Sequence, residues 1–307
     1  MTNSIIQMSG GLGNQLFQFS LKRSVEYATG STTKLDIAWY RYNTMEYRRD
    51  PEILRFLGSD LDFIDSTNYL VSLLGLLKSI SLRKMYKKHI ESRLLHSSLK
   101  LNLKVKYEHE ITQISDFVDS YATGSFVGTN FWKDYSDIVI AEIRDSLSRL
   151  DSRERAYPPE TIVMHARRGD YYSDAKTRNF HGYCSLDHFA EGVEMINNSY
   201  SWDSVLIHSD SQEFAREIQT FLASEYSKPI FIATESDPVN ILLDFQNTNF
   251  FIGSNSTLSW WGNALGNHKS SIFPISWFAN NIQNGYGNDY FLKEVLFTNT
   301  PLLVQGD

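Results

Sequence analysis

Short apolar runs alternate with amphipathic stretches through the second half of the chain. The runs are rich in Val, Ile and Phe, which is typical of strands buried on both faces, and the intervening stretches have apolar residues at helical spacing. The predicted strands are TIVMHAR (161–167), SVLIHS (204–209), KPIFIAT (228–234), NFFIGS (249–254) and SSIFPI (270–275). The predicted helices are 185–198, 211–225, 237–247 and 257–266. This alternation predicts a parallel sheet covered by helices on both faces.

The first half of the chain begins in the same way but is less regular. A strand, a glycine turn and a helix precede a second predicted strand, TTKLDIAWY (32–40), and Lys- and Leu-rich stretches of helical character follow. A chain of 307 residues suits two domains, and Pro158-Pro159 cannot continue a helix, so the boundary is placed beside them. The predicted domains are 1–155 and 156–307, with an extreme C-terminal segment that could pack back on the first.

The chain is acidic overall, with a formal net charge of −7, but one segment is strongly basic. Residues 83–106 contain eight Lys or Arg and one Glu, and they follow an apolar window at 69–82. That window is shorter than the roughly 20 residues of a membrane-spanning helix. Two interpretations of 69–106 stay open: peripheral contact with an anionic membrane surface, or a solvated helical hairpin with a basic outer face. The overall acidity argues against a nucleic-acid partner.

The cysteine content of the chain indicates its cellular compartment and whether a metal site is expected. The single cysteine, Cys184, cannot form an internal disulfide, which indicates a reducing compartment. The first strand begins at Ser4, which leaves no room for a signal peptide. We therefore expect a cytoplasmic protein, with the inner face of the membrane as an alternative location. His181 and His188 do not stand at zinc spacing from Cys184, so no metal is expected.

Polar clusters follow three of the predicted strands. They are His165, Arg167, Arg168 and Asp170 after the first strand, Ser209 and Asp210 after the second, and Ser254, Asn255, Ser256 and Thr257 after the fourth. Because parallel strands end at one edge and ligands bind beyond their carboxyl ends, these clusters should meet one ligand. Two adjacent arginines are costly there without an anion, and small hydroxyl residues at a helix start let a phosphate approach unpaired N–H groups. The sequence predicts a phosphate site.

Each cluster also has a purely structural interpretation. Ser, Asn and Thr are ordinary N-cap residues. An arginine at a strand end can pair with a carboxylate such as Asp170, and we expect one of the two arginines in each role. Asp210 and Glu213 have the spacing of a capping box at the start of the following helix.

The N-terminal turn, GGLGNQLFQF, is a further candidate. It lacks the third glycine of a dinucleotide-binding loop, because that position is Leu16. Gly11 and Gly13 allow close approach of backbone to a ligand, and Asn14 and Gln15 offer amides to it. The alternative is a tight turn capped by Asn14.

Three motifs, GGLGNQLFQF, HARRGDYYSD and SNSTLSWWGNAL, together resemble the α-1,2-fucosyltransferases of glycosyltransferase family 11, and HGYCSLDHF resembles bacterial members. The resemblance implies an α/β, GT-B-like fold, in which two Rossmann-like domains have parallel sheets facing across a cleft. Domain 1–155 would lie on the acceptor side and domain 156–307 would bind the donor.

The resemblance also implies residue roles. Arg167 would bind the diphosphate together with Asn255, Ser256 and Thr257. Asp210 would read the guanine, although Ser211 stands where bacterial members commonly have a second acid. Asn14 would face the fucose or the acceptor.

The implied reaction is inverting, metal-independent transfer of L-fucose from GDP-β-L-fucose to the 2-hydroxyl of a galactoside, as in an O-antigen. Arg167 and Asp170 are the catalytic candidates, and Asp170, Asp174 and His181 are the alternatives for a general base. Two other functions stay open: transfer from a different nucleotide sugar, and non-catalytic carbohydrate binding.

Overall fold

The computed structural model describes residues 3–42, 50–58, 61–65, 103–150, 157–279 and 290–304. The chain divides into two compact units, Met1–Ser146 and Leu147–Asp307. The predicted domain boundary and most of the basic and apolar stretch at 69–106 lie outside the described residues, so membrane contact through that stretch stays a prediction. Within the described ranges, no helix is both long and apolar enough to cross a membrane.

The first unit is built on a five-stranded sheet of order β3-β2-β1-β5-β4, in which every pairing is parallel. Its strands are β1 Asn3–Gln7, β2 Thr32–Asp36, β3 Phe63–Ile64, β4 Lys104–Tyr107 and β5 Ser120–Thr123. Its helices are α1 Leu12–Thr29, α2 Ala38–Tyr42, α3 Leu54–Leu57 and α4 Ser136–Ser148, of which α4 reaches the division between the units. Short 3-10 helices span Glu108–Glu110, Ile114–Phe117 and Lys133–Tyr135.

The predicted second strand is wrong at its aromatic end. The strand stops at Asp36, and Ala38–Tyr42 is helical. The buried Asp36 carboxylate accepts the backbone N–H of Ala38 at 3.0 Å and the Tyr121 hydroxyl at 2.8 Å, so it binds the first N–H of the helix that follows the strand. Lys104–Tyr107, in the stretch interpreted as helical, is a strand paired with β5.

The second unit is built on a six-stranded, all-parallel sheet of order β11-β10-β9-β6-β7-β8. Its strands are β6 Thr161–Ala166, β7 Ser204–Ser209, β8 Ile230–Ile232, β9 Phe250–Gly253, β10 Ser270–Pro274 and β11 Leu296–Thr298. Its helices are α5 Gly169–Ser173, α6 Ala175–His181, α7 Leu186–Ser199, α8 Gln212–Glu225, α9 Pro238–Gln246 and α10 Thr257–Leu265. The strand order reverses between β6 and β9, which is where open α/β sheets bind ligands.

The predicted strands and long helices of this unit are confirmed. β6 is buried along its whole length, as its continuous apolar run requires. α7 lies close to the sheet at Gly192, where an added Cβ would come within 3.0 Å of Ile252. The described C-terminal residues pair within this unit, β11 with β10 and Leu303 with Tyr183.

Each unit is thus an α/β layer structure with a parallel sheet, which confirms the predicted class of two Rossmann-like units. Buried Val, Ile, Leu and Phe side chains supply its cohesion, at about 1.5–3 kcal/mol for each fully buried side chain.

Candidate functional site

The three predicted polar clusters lie at the carboxyl ends of three adjacent strands. β6 is paired with β9 on one side, where His165 is opposite Gly253, and with β7 on the other, where Ala166 is opposite Ser209. The loops that follow these strands therefore leave the sheet side by side. The prediction that the clusters share one edge of the sheet is confirmed.

Arg167 is held between two carboxylates. One terminal nitrogen, Nη1, donates to Asp210 Oδ2 and the other, Nη2, donates to Asp170 Oδ1. Burial would lower the pKa of the guanidinium, but the charges of Asp210 and Asp170 outweigh it and raise that pKa above its ordinary value. Among the described residues, these two carboxylates engage two of the five N–H groups, which leaves the others able to meet an anion.

Arg168 has a different environment. Its guanidinium carbon lies 4.5 Å from the ring centroid of Tyr172, 4.7 Å from that of Tyr183 and 4.0 Å from that of Phe214. Cation–π contacts of this kind stabilise a partly buried arginine. We expected one arginine to pair with a carboxylate and the other to meet the anion. Arg167, the anion candidate, is the one that pairs with Asp170, while Arg168 packs among aromatic rings. Donor binding by Arg168 stays a prediction.

His165 joins β6 to α10. Its Nδ1 lies 2.6 Å from the Ser259 hydroxyl oxygen in the first turn of α10, and its ring is 5.0 Å from that of Phe245. Burial, together with the positive charge of Arg167, lowers the pKa of His165 to about 3. The imidazole is therefore neutral at physiological pH.

The start of α10 is the second part of the predicted anion site. Ser256 is the N-cap residue, and no described side chain caps this turn with a hydrogen bond. The first N–H groups of a helix have no intrahelical partner and carry a partial positive charge. Ser254 is fully buried, with its hydroxyl oxygen 3.4 Å from that of Ser259, whereas Thr257 is only partly buried.

Asn255 is buried and bonded to the protein. Its amide nitrogen donates to the carbonyl of His181 at 2.9 Å and to that of Trp277 at 3.2 Å, and its Oδ1 lies 3.8 Å from Cys184 Sγ. The side chain thus holds the loop in place, and the backbone of Asn255 is what this residue can offer to a phosphate.

Ser209 and Asp210 shape the loop after β7. The Ser209 hydroxyl donates to the carbonyl of Ala166 at 2.7 Å. The predicted capping box is wrong, because Ser211 is the N-cap of α8 and accepts from the N–H of Phe214 at 3.3 Å. The Asp210 carboxylate faces Arg167 and the loop after β6 instead, and guanine recognition by Asp210 stays a prediction.

The three candidates for a general base differ in their contacts. Asp170 pairs with Arg167, and Asp174 caps α6 by accepting from Thr177. His181 is stacked on Tyr171, with centroids 4.5 Å apart, and its Nδ1 is buried with no hydrogen-bond partner among the described residues. Burial and the charge of Arg167 lower the pKa of His181, against an opposing effect of Asp170.

The N-terminal loop has one buried polar residue and one partly exposed one. The Gln15 amide donates to the carbonyl of Asp50 at 2.9 Å and to Glu52, and its oxygen accepts from the N–H of Ile53 at 3.0 Å, so this side chain fixes residues 50–53. Asn14 is partly buried, and the N-cap of α1 is Gly11, with Gly13 buried in the first turn. A tight turn capped by Asn14 is therefore wrong.

Two side chains of the site escaped the sequence analysis. Ser259 bonds to His165, and Tyr171 lies under Arg167, with its centroid 5.5 Å from the guanidinium carbon. Both residues lie inside motifs named above, SNSTLSWWGNAL for Ser259 and HARRGDYYSD for Tyr171. The sequence around a hydroxyl or an aromatic ring does not indicate which side chain it contacts. Across the described residues, no group of three or more His, Cys, Asp or Glu side chains is placed to hold a metal ion.

Similarity to known proteins shows the family to which the chain belongs. The family model of glycosyl transferase family 11 matches residues 4–298. An α-1,2-colitosyltransferase of Escherichia coli is 23% identical, over 93% of this chain and 96% of that protein. The O-antigen biosynthesis glycosyltransferase WbnK of Escherichia coli is 24% identical, over 89% of this chain and 94% of that protein. Among solved structures, POFUT1 in complex with GDP-fucose is 14% identical, covers 89% of this chain and 97% of its own, and has a TM-score of 0.47. Because the family model spans nearly the whole sequence, the chain belongs to glycosyl transferase family 11 and is a glycosyltransferase.

Proposed function

We propose that the protein transfers L-fucose from GDP-β-L-fucose to the 2-hydroxyl of a galactoside, with inversion at the anomeric carbon. The observation that carries the proposal is the placement of Arg167 and of the start of α10 after two adjacent strands, β6 and β9. A guanidinium and a set of unpaired helix-start amides suit a diphosphate, which is the leaving group of a nucleotide sugar.

The chemistry follows from that placement. The acceptor oxygen forms a bond to the anomeric carbon while the bond from that carbon to the phosphate oxygen breaks, and GDP leaves with the electron pair. Arg167 and the amides of α10 stabilise the charge that develops on GDP, so the proposal needs no metal ion. The hydroxyl proton passes to a base. Among the three candidates, His181 is the one with a ring nitrogen, Nδ1, that has no hydrogen-bond partner within the described ranges.

A second donor is supported by a specific observation. One relative is an α-1,2-colitosyltransferase, and colitose is L-fucose without its 3-hydroxyl. GDP-colitose is therefore the alternative donor. The similarity to WbnK, an O-antigen biosynthesis glycosyltransferase, favours a glycan of the O-antigen type as the acceptor. The proposed location of catalysis is the cytoplasm or the inner face of the membrane.

The test is a donor screen with purified protein in the presence of EDTA. GDP-fucose, GDP-colitose, GDP-mannose and UDP-galactose are offered with β-galactoside acceptors, and the product linkage is determined by NMR. We expect a 1→2 linkage formed from GDP-fucose or GDP-colitose. Preferential use of UDP-galactose would contradict the donor assignment. A requirement for a metal ion would contradict the mechanism. A glycan-binding protein that transfers no sugar would show no calorimetric heat with GDP.

A further inference from the structure

The Asp210 carboxylate is the centre of the loop that presents Arg167. Its Oδ1 accepts two backbone N–H groups, from Arg168 at 2.7 Å and from Gly169 at 3.0 Å. Its Oδ2 accepts from Arg167 Nη1. Together, the two carboxylate oxygens thus bind three successive residues of one turn, Arg167, Arg168 and Gly169.

Gly169 shows how closely this carboxylate fits. The residue has φ +21°, where side chains with a Cβ are strained, and a Cβ built on it would overlap Asp210 Oδ2. A glycine is needed at this position for the carboxylate to reach the turn. The Gly169 backbone and the Asp210 side chain therefore form one unit, although they belong to loops after different strands.

Among the described residues, Asp210 is the hydrogen-bond partner that ties the Arg167 guanidinium to a different loop. Asp170, its second carboxylate partner, follows Arg167 in the same loop after β6. Asp210 belongs to the loop after β7 and so fixes the turn against the sheet. The anchor of the arginine is thus the residue that family resemblance assigns to the guanine.

We propose that Asp210 is a positioning residue, which binds the N–H groups of the 168–169 turn and thereby holds the Arg167 guanidinium in the orientation that receives the diphosphate, and that it does not select the base. This inference rests on the proposed function, since it concerns binding of a nucleoside diphosphate at the same site. If the inference holds, the loss of GDP affinity on substitution of Asp210 depends on the presence of Arg167 and of Gly169.

The test measures the affinity of Asp210→Asn for GDP and for ADP by calorimetry. We expect affinity for both to fall about 10- to 100-fold, the scale of a misplaced binding group, with the ratio of GDP to ADP affinity unchanged within about twofold. Asp203→Asn, an exposed acid in the same unit, is the matched control and should bind like wild type. Loss of the preference for GDP in Asp210→Asn would overturn the inference in favour of guanine recognition.

One double variant and one single variant test the dependence. Arg167→Ala with Asp210→Asn should bind GDP no more weakly than Arg167→Ala alone, and fully additive losses would overturn the inference. Gly169→Ala should reproduce the loss of Asp210→Asn, whereas Gly30→Ala, at φ +65° with open space around it, should leave GDP binding unchanged. If wild-type protein binds GDP but these dependences fail, only this inference falls. If wild-type protein binds no GDP, both the proposed function and this inference are contradicted.

Discussion

The Nδ1 atom of His165 lies 2.6 Å from the hydroxyl oxygen of Ser259, and this hydrogen bond joins the end of β6 to the first turn of α10. The two residues are buried, so neither has water as a substitute partner. The bond fixes the helix start relative to the loop that carries Arg167. The geometry of the proposed anion site is therefore coupled to the stability of the second unit.

Ser259→Ala tests that coupling. The substitution leaves the buried His165 nitrogen without its partner, so we expect the free energy of unfolding to fall by about 1–3 kcal/mol. Urea denaturation followed by circular dichroism measures the change. Ser224→Ala, which removes an exposed hydroxyl from α8, is the matched control. Equal stability of the two variants would show that the bond does not matter.

Arg167→Ala tests the charge-stabilising role. We expect a folded protein whose turnover with its donor falls by at least ~10²-fold, the typical loss when one such donor is removed. Initial-rate kinetics measure the fall, with circular dichroism as the check on folding. Arg216→Ala, at an exposed position of α8, serves for comparison and should keep full activity. Near-normal turnover in folded Arg167→Ala protein would refute the assignment.

Asn255→Ala tests the buried amide. Its removal leaves the carbonyls of His181 and Trp277 without this donor, so we expect a loss of about 2–3 kcal/mol in the free energy of unfolding. Chemical denaturation of the variant is compared with that of Asn198→Ala, which changes an exposed asparagine on α7. A loss below about 0.5 kcal/mol, the range of ordinary surface substitutions, would contradict the structural role.

The buried histidines predict a dependence of stability on pH. Burial lowers the pKa of His165 to about 3 and that of His188 to about 4, and it also lowers that of His181. The unfolded chain protonates such rings near pH 6.5 while the folded chain keeps them neutral, so the unfolded state binds more protons as the pH falls. Stability should be fully present above pH 6.5 and decrease below it.

The decrease should approach about 1.4 kcal/mol per pH unit for each histidine that stays neutral. Urea unfolding at pH 7.5, 6.0 and 5.0 measures it, in a range above the ordinary pKa of carboxylates. A free energy of unfolding that is constant from pH 7.5 to 5.0 would show that these rings protonate freely in the folded protein.

Five of the six strands of the second unit could be predicted from the sequence, because strands buried on both faces are continuous apolar runs. The short edge strand β11 was not predicted. The same rule placed the polar clusters, since the carboxyl ends of parallel strands share one edge. The first unit was less predictable at Ala38–Tyr42, where Trp39 and Tyr40 favour a strand by propensity but the Asp36 carboxylate accepts the first N–H of a helix.

The partners of polar side chains could not be predicted. Asp210 has the spacing of a helix cap, yet its bonds go to a loop some 40 residues earlier in the chain. Asn255 lies in a segment whose composition is typical of a phosphate-binding loop, yet its side-chain amide donates to the backbone carbonyls of His181 and Trp277. Local patterns carry no information on contacts of this kind, because tertiary packing decides which partner a polar group meets.

The position of β6 has a consequence for synthesis of the chain. β6 is the first strand of its unit to leave the ribosome, yet it ends in the middle of the sheet, between β7 and β9. The loop with Arg167 can meet Asp210 as soon as β7 has emerged, whereas α10 begins only at Thr257. A nascent chain thus contains the Arg167 half of the proposed anion site before the α10 half has been made, so the complete site can form only late in synthesis.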